Sequence, residues 1–402
     1  MSEPTTPATT RVLLTAALSL FATSLFMRSV DPLIPQIADS FEMDTRTVAL
    51  ISTAYALPYA ISQPLLGGIG DAIGKTLVLK ACLVLSVVAG FVGAAAPDYP
   101  VLLASRVLVG LVSAGIFPIA LAIAADIVPV DRRQVAYGRL LAAAMLGNLL
   151  GSPVAGVIAD MVGWRGVFAL VASLAAVAIV AVQIGFQGLS LDVRTPLDVA
   201  SVVGRYRAVI RKPLAKVCFS AVMLEGVFLF GLFPFVAVLL AARGEQRAAI
   251  AGLVISGFAI GGLLYAGCVS ALVRWLGGRR LSIGGGALMA GGMGLVALGL
   301  AWPFEFVVFL VLGVGFYSLH GVIQVHVTEL VPASRGTAMA LHGCSFFLGQ
   351  ALGPIIYRYG FDHLGVEGMS AIGAAGLLGV GILCAATLRR PVQPDDDLKQ
   401  CV

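Results

Sequence analysis

Ala125-Asp126-Ile127-Val128-Pro129, with Arg132-Arg133 behind it and then Gly147-Asn148-Leu149-Leu150-Gly151-Ser152-Pro153 in an apolar run, is written twice in this chain. The second copy begins at Thr328, 203 positions after Ala125. It reads Thr328-Glu329-Leu330-Val331-Pro332, then Arg335, then Gly349-Gln350-Ala351-Leu352-Gly353-Pro354. The offset is close to half of the 402 residues, so the chain reads as two copies of one unit.

Hydrophobic residues make up 59% of the chain and charged residues 12%, about half the share of a soluble domain, so its surface belongs in lipid. A transmembrane helix needs about 20 apolar residues. Twelve stretches qualify, with cores at 11–35, 47–69, 76–96, 100–128, 134–159, 164–187, 213–241, 248–273, 280–301, 303–330, 336–360 and 366–388. Backbone polar groups in hydrocarbon must pair within the segment, so the stretches are helices. The expectation is an all-α membrane protein of twelve transmembrane helices in two pseudo-symmetric six-helix bundles. The expected division is residues 1–187, a cytoplasmic linker at 188–212, residues 213–390 and a tail at 391–402. The linker is read as a flexible tether in preference to an interfacial amphipathic segment.

Residues 2–10 hold no basic cluster and the following apolar run exceeds a signal-peptide core, so no cleaved signal is expected. Cys82, Cys218, Cys268, Cys344, Cys384 and Cys401 lie far apart and read as packing residues. The net charge of +5 is no nucleic-acid signal, because the cations fall in alternate loops. With both termini inside, 19 Lys/Arg lie on the cytoplasmic side and five outside (Arg46, Arg165, Arg243, Arg247 and Arg358), the bias that sets orientation. Arg28 and Arg106 lie within spans.

Gly67-Gly68-Ile69-Gly70-Asp71-Ala72-Ile73-Gly74-Lys75 joins spans two and three. It resembles the Gly-x-x-x-Asp-Arg-x-Gly-Arg/Lys signature of the major facilitator superfamily, with Ala72 in place of the usual Arg. Arg106-Val107-Leu108-Val109-Gly110 is similar to the family's Arg-x-x-x-Gly element in span four. Gly147, Gly151, Pro153 and Gly156 resemble its antiporter motif in span five, with Ser152 interposed, and Gly349, Gly353 and Pro354 form the counterpart in span eleven. Asp31-Pro32-Leu33-Ile34-Pro35 resembles the Pro-x-x-Pro element of twelve-span drug:proton antiporters. The resemblance implies a transporter in which two bundles rock about a central site. It implies that Asp71 engages the start of span eleven, near Ser334–Thr337, when the cytoplasmic side is closed. It also implies that the glycine-rich face of span five meets the other half. A cytoplasmic gate of Asp71, Gly74, Lys75, Asp126, Arg133, Glu329 and Arg335 follows.

Ionisable groups inside spans are functional candidates by default. Asp31 and Arg106 both lie roughly 8–12 Å below the outer surface at 1.5 Å per residue, so they are within reach of pairing. Arg28, three residues before Asp31, is the rival partner. Glu225 lies near mid-membrane. Asp31, Glu225 and Arg106 are therefore the proton-coupling candidates. Gln63, Tyr317 and Gln324 are candidate cavity residues, with interhelical hydrogen bonding the equal alternative. His320 and His342 are read as packed, hydrogen-bonded residues. His326 and Glu329 have a spacing that suits a metal, but no second such pair exists, so neither metal nor cofactor is expected.

Together these readings predict a monomeric inner-membrane transporter and no enzyme, using protons to expel a small organic molecule. A chamber with few fixed charges suits a neutral or cationic amphiphile, with sugars and amino acids left open. The first alternative is a proton symporter or facilitator for import. The second, a membrane enzyme or transporter-like receptor, lacks any supporting motif.

Overall fold

In a computed structural model, residues 7–129, 132–187 and 199–388 are described. Among them every regular element is helical. Span one is Pro7–Arg28, continued by Asp31–Leu33 and Ile34–Ser40. Span two is Ile51–Ile73, span three Lys75–Ala94 and span four Tyr99–Ile127. Spans five and six share the helix Arg133–Gly185, which breaks at Gly163. Span seven is Pro213–Phe228, continued by Phe230–Phe235 and Val236–Ala241. Spans eight and nine share Ala248–Ala297, broken at Gly277. Span ten is Trp302–Glu329, and spans eleven and twelve share Arg335–Thr387, broken at Gly365.

The breaks obey the repeat. Gly163 and Gly365 have φ of 77° and 70°, a conformation that a side chain disfavours, and they stand 202 positions apart. Gly74 (φ 118°) and Gly277 (φ 68°), 203 positions apart, form the second pair. Spans one and seven, which open the two halves, are both interrupted part-way by a 3₁₀ segment containing a proline.

The exterior is apolar. Leu14, Met161, Val162, Leu298 and Trp275 are each at least 65% exposed, which suits acyl chains and not water. Trp275 lies at one end of the molecule, and Phe304 and Tyr359 lie at the other, where aromatic rings favour the lipid–water boundary. The five cysteines among the described residues are unpaired, and Cys401 lies outside them.

Two expectations are adjusted. Span one extends to Ser40, beyond the apolar core that ended at 35. Within the connection between halves, Val199–Ile210 is a helix. Its Val202, Tyr206 and Val209 lie toward one side at helical spacing, Val209 is fully buried, and the Tyr206 hydroxyl donates to Pro64 O at 2.8 Å. Residues 188–198 and 391–402 lie outside the described residues.

Candidate functional site

The centre of the site is the break in span one. Pro32 has no N–H to give, so the Arg28 carbonyl loses its intrahelical partner. The Ser152 hydroxyl supplies one, donating to Arg28 O at 2.8 Å. In an unbroken helix Phe26 O would pair with Val30 N. Here the buried Arg106 donates to it through Nη1 at 3.0 Å and lies over the Tyr55 ring, 4.6 Å from its centroid. Span seven repeats the device, with the Tyr357 hydroxyl donating to Phe228 O at its break. These groups satisfy the freed backbone within the protein, away from lipid, as irregular backbone at membrane depth requires.

Asp31 is 2% exposed and accepts from the Ser52 hydroxyl at 3.1 Å. Of the two cations weighed as its partner, Arg28 is the one in reach, with Nη1 3.6 Å from Asp31 Oδ2. That separation is an ion pair without a hydrogen bond. The Arg28 guanidinium turns instead toward the other half. Its Nη2 donates to Gln350 Oε1 of span eleven at 3.1 Å, and it lies over the rings of Phe230 and Phe233 of span seven, 4.7 and 4.9 Å from their centroids. A cavity of about 20 Å³ opens among Arg28, Asp31, Tyr55, Phe230, Phe347 and Gln350, between the halves.

Glu225 is fully buried, and His320 of span ten places Nδ1 2.8 Å from its Oε2. The His320 ring stacks on Phe316 and meets the His342 ring of span eleven at 4.9 Å between centroids. Glu225 Oε1 and His342 Nε2 are buried without a hydrogen-bond partner. Glu225 therefore lies in a separate cluster within the second half. Gln63 faces Gly343 across the halves, and Tyr317 packs on Gly262 and Phe258 within the second half. Gln324 is exposed and does not line the central cavity.

The two ends of the molecule differ. At the end carrying Arg46, the halves are clasped. Asp160 of span five accepts from Ala248 N and Ala249 N, both at 2.9 Å, at the start of span eight. Arg46 pairs with Asp362 of span eleven. Asp160 and Asp362 each stand three residues before the glycine breaks Gly163 and Gly365, so the two clasps are copies related by the repeat. At the opposite end the gate candidates pair within their own halves. Lys75 Nζ is 2.6 Å from Asp126, Arg335 is 3.0 Å from Glu329, and Arg133 donates to Val128 O at 2.9 Å. Gly74 ends span two and starts span three in its positive-φ turn. The Asp71 side chain lies outside what is described.

The small residues of span five divide their work. A Cβ on Gly147 would strike Phe21 O, and one on Gly151 would strike Arg28, so both seat span one in the same half. Gly156 alone of the three meets the other half, against Ala248 O, while Gly252 of span eight admits Ser152 O and Pro153. Gly349 and Gly353 likewise seat span seven within the second half, and Pro354 is buried beside them. The expected inter-half face of the motif thus narrows to Pro153 and Gly156. A second cleft, about 1030 Å³, lies away from the centre among Arg274, Arg279, His326 and the end of span twelve.

The comparisons agree with this architecture. The profile described as Major Facilitator Superfamily matches residues 16–354. A "Probable sugar efflux transporter" of Helicobacter acinonychis (strain Sheeba) is 24% identical over 377 residues, covering 89% of this chain and 92% of that protein. An "Uncharacterized MFS-type transporter YceJ" of Bacillus subtilis (strain 168) is 26% identical over 375 residues, covering 88% and 92%. The crystal structure of a bacterial homologue of the human lysosomal transporter Spinster, inward-facing and unoccupied, superposes with a TM-score of 0.67 at 18% identity, covering 95% of this chain and 96% of that one. That likeness bears on the fold. With twelve spans in two repeats and a family match across most of its length, the chain belongs to the Major Facilitator Superfamily, a multi-pass membrane transporter of small molecules.

Proposed function

We propose that the chain exports a small organic molecule in exchange for protons, by alternating access, as a monomer in the inner membrane with both termini in the cytoplasm. The observation that carries the reading is a buried carboxyl in each half, Asp31 beside a cavity between the halves and Glu225 against His320. Asp31 is the proton-binding candidate of the first bundle, and its counter-ion Arg28 also touches the second half. Glu225 with His320 is the second proton-binding candidate, within the second bundle. Efflux as the direction is supported by the name carried by the Helicobacter relative.

The positive-inside bias makes the Arg46 end the outer face. The clasps Asp160–Ala248 and Arg46–Asp362 then close the outside, and Asp71, Gly74, Lys75, Asp126, Arg133, Glu329 and Arg335 close the inside in the alternate state. The proposed halves are 1–187 and 213–390, joined by 188–212, with 391–402 as the cytoplasmic tail. Gln63 and Tyr317 are proposed to approach substrate when the inside opens. Gln324, exposed on span ten, is proposed to do so only at the inner mouth. The test is flux in proteoliposomes under an imposed pH gradient. Exchange reading predicts uptake into vesicles with an acidic interior, reversed when the gradient is reversed. Movement of substrate together with protons would instead make the chain a symporter, and gradient-independent equilibration would make it a facilitator.

A further inference from the structure

We infer that the central site selects an organic anion, a small carboxylate with an apolar body, held by Arg28 and Gln350. The inference rests on the transporter reading of that cavity. Three observations carry it. First, the cluster at the break of span one holds two guanidiniums, Arg28 and Arg106, against one carboxylate, Asp31. A buried cluster with one uncompensated positive charge is costly, and an anion entering it restores neutrality. Second, donors outnumber acceptors. Arg28 has no acceptor group, so the Gln350 atom facing it must be the amide oxygen. That fixes Gln350 Nε2 as a donor, and it is buried without a partner on a side chain only 7% exposed that lines the cavity. Third, the walls are the rings of Tyr55, Phe230 and Phe347, which suit the apolar body of such a ligand. In the arrangement seen, the cavity has room for about one water, so a ligand occupies it as the halves part.

A consequence follows for the proton. Asp31 and the anion compete for the same guanidinium, so protonating Asp31 favours anion binding. Linkage gives the two ligands the same sign at this residue. Exchange requires opposite signs. A carrier that trades this anion for protons therefore binds the traded proton elsewhere, and the Glu225–His320 pair of the second half is the group available. Among the described residues, the titratable groups facing that pair are His342 and Cys384, neither of them a fixed cation.

The test is equilibrium binding to purified full-length protein in detergent, read by thermal shift and titration calorimetry. The probes are benzoate and 3-phenylpropionate, the matching amides and amines, and glucose. The carboxylates are expected to bind roughly 10- to 100-fold more tightly than their amides, the ratio for hydrogen bonds to a charged group. Arg28→Gln and Gln350→Ala should each erase most of that preference, and Asp31→Asn should strengthen carboxylate binding. The comparison among probes on the wild type stands even where a variant fails to fold. Equal or tighter binding of amides, amines or glucose overturns the inference, as does an unchanged preference in both Arg28→Gln and Gln350→Ala. The assay measures no flux, so carboxylate selectivity in a protein that ignores pH gradients would sink the exchange reading and leave this one intact.

Discussion

Nδ1 of His320 lies 2.8 Å from Oε2 of Glu225, and that contact joins spans ten and seven inside the second half. At this depth the least costly state for the two side chains is a neutral unit with one shared proton, either as acid and imidazole or as carboxylate and imidazolium. Losing the proton leaves a bare carboxylate with no cation beside it among the described residues, which is costly. Gaining a second leaves a bare imidazolium.

The first prediction concerns this pair. Glu225→Gln should abolish accumulation driven by a pH gradient, while exchange of labelled for unlabelled substrate at equal pH persists. His320→Asn should shift the pH at which flux is half-maximal. Both are read in proteoliposomes, and wild-type gradient-driven flux in Glu225→Gln removes the pair from the coupling mechanism.

Asp160→Ala should loosen the clasp at the Arg46 end. The carboxylate caps the first N–H groups of span eight, and losing such a cap costs about 1 kcal/mol, with a range of about 0.5–2. A change of that size multiplies the population open at that face by roughly 2 to 30. Spin labels placed at the facing ends of spans five and eight should report the change in distance distribution.

Gly156 and Gly147 make a discriminating pair. Gly156→Val puts carbon against Ala248 O of the other half, so it should hold that face open and stop turnover without unfolding either bundle. Gly147→Val meets Phe21 O and Ser24 inside one bundle, so it should lower the melting temperature instead. Thermal melts beside transport rates separate the two effects.

Arg106→Leu should destabilise the first half by about 1–3 kcal/mol, because Phe26 O is left buried without a donor at the break of span one. Arg106→Lys should recover part of this loss. Chemical denaturation followed by the fluorescence of Trp164, which is buried in the same half, is the measurement.

Much of the fold could be read before any coordinates. The duplicated Asp126 and Glu329 segments set the repeat, and the repeat anticipates the paired turns at Gly163 and Gly365. Pro32 and Pro35, which cannot donate a backbone N–H, are the signal in the sequence for the interruption in span one. The central pairings were not legible in the same way. A buried span is apolar all round, so its sequence leaves open which side faces a neighbour. Arg28 with Gln350, and Glu225 with His320, depend on that rotation. In the sequence Gln350 is only a place in a glycine pattern, and His320 reads only as a packed histidine. Asp160 was missed, although a signal existed: Asp-x-x-Gly stands at 160–163 and again at 362–365. Ser152, noted only as an interruption of a motif, supplies the hydrogen bond that Pro32 denies to Arg28.

The paired clasps are equivalent by position but differ in chemistry. Arg46 and Asp362 are two side chains, each about 40% exposed, whose attraction dissolved ions screen. Asp160 grips backbone amides, a bond that salt weakens less. Rising ionic strength therefore loosens the rim between spans two and eleven first, while spans five and eight still hold. The duplicated architecture thereby acquires a preferred edge along which it parts.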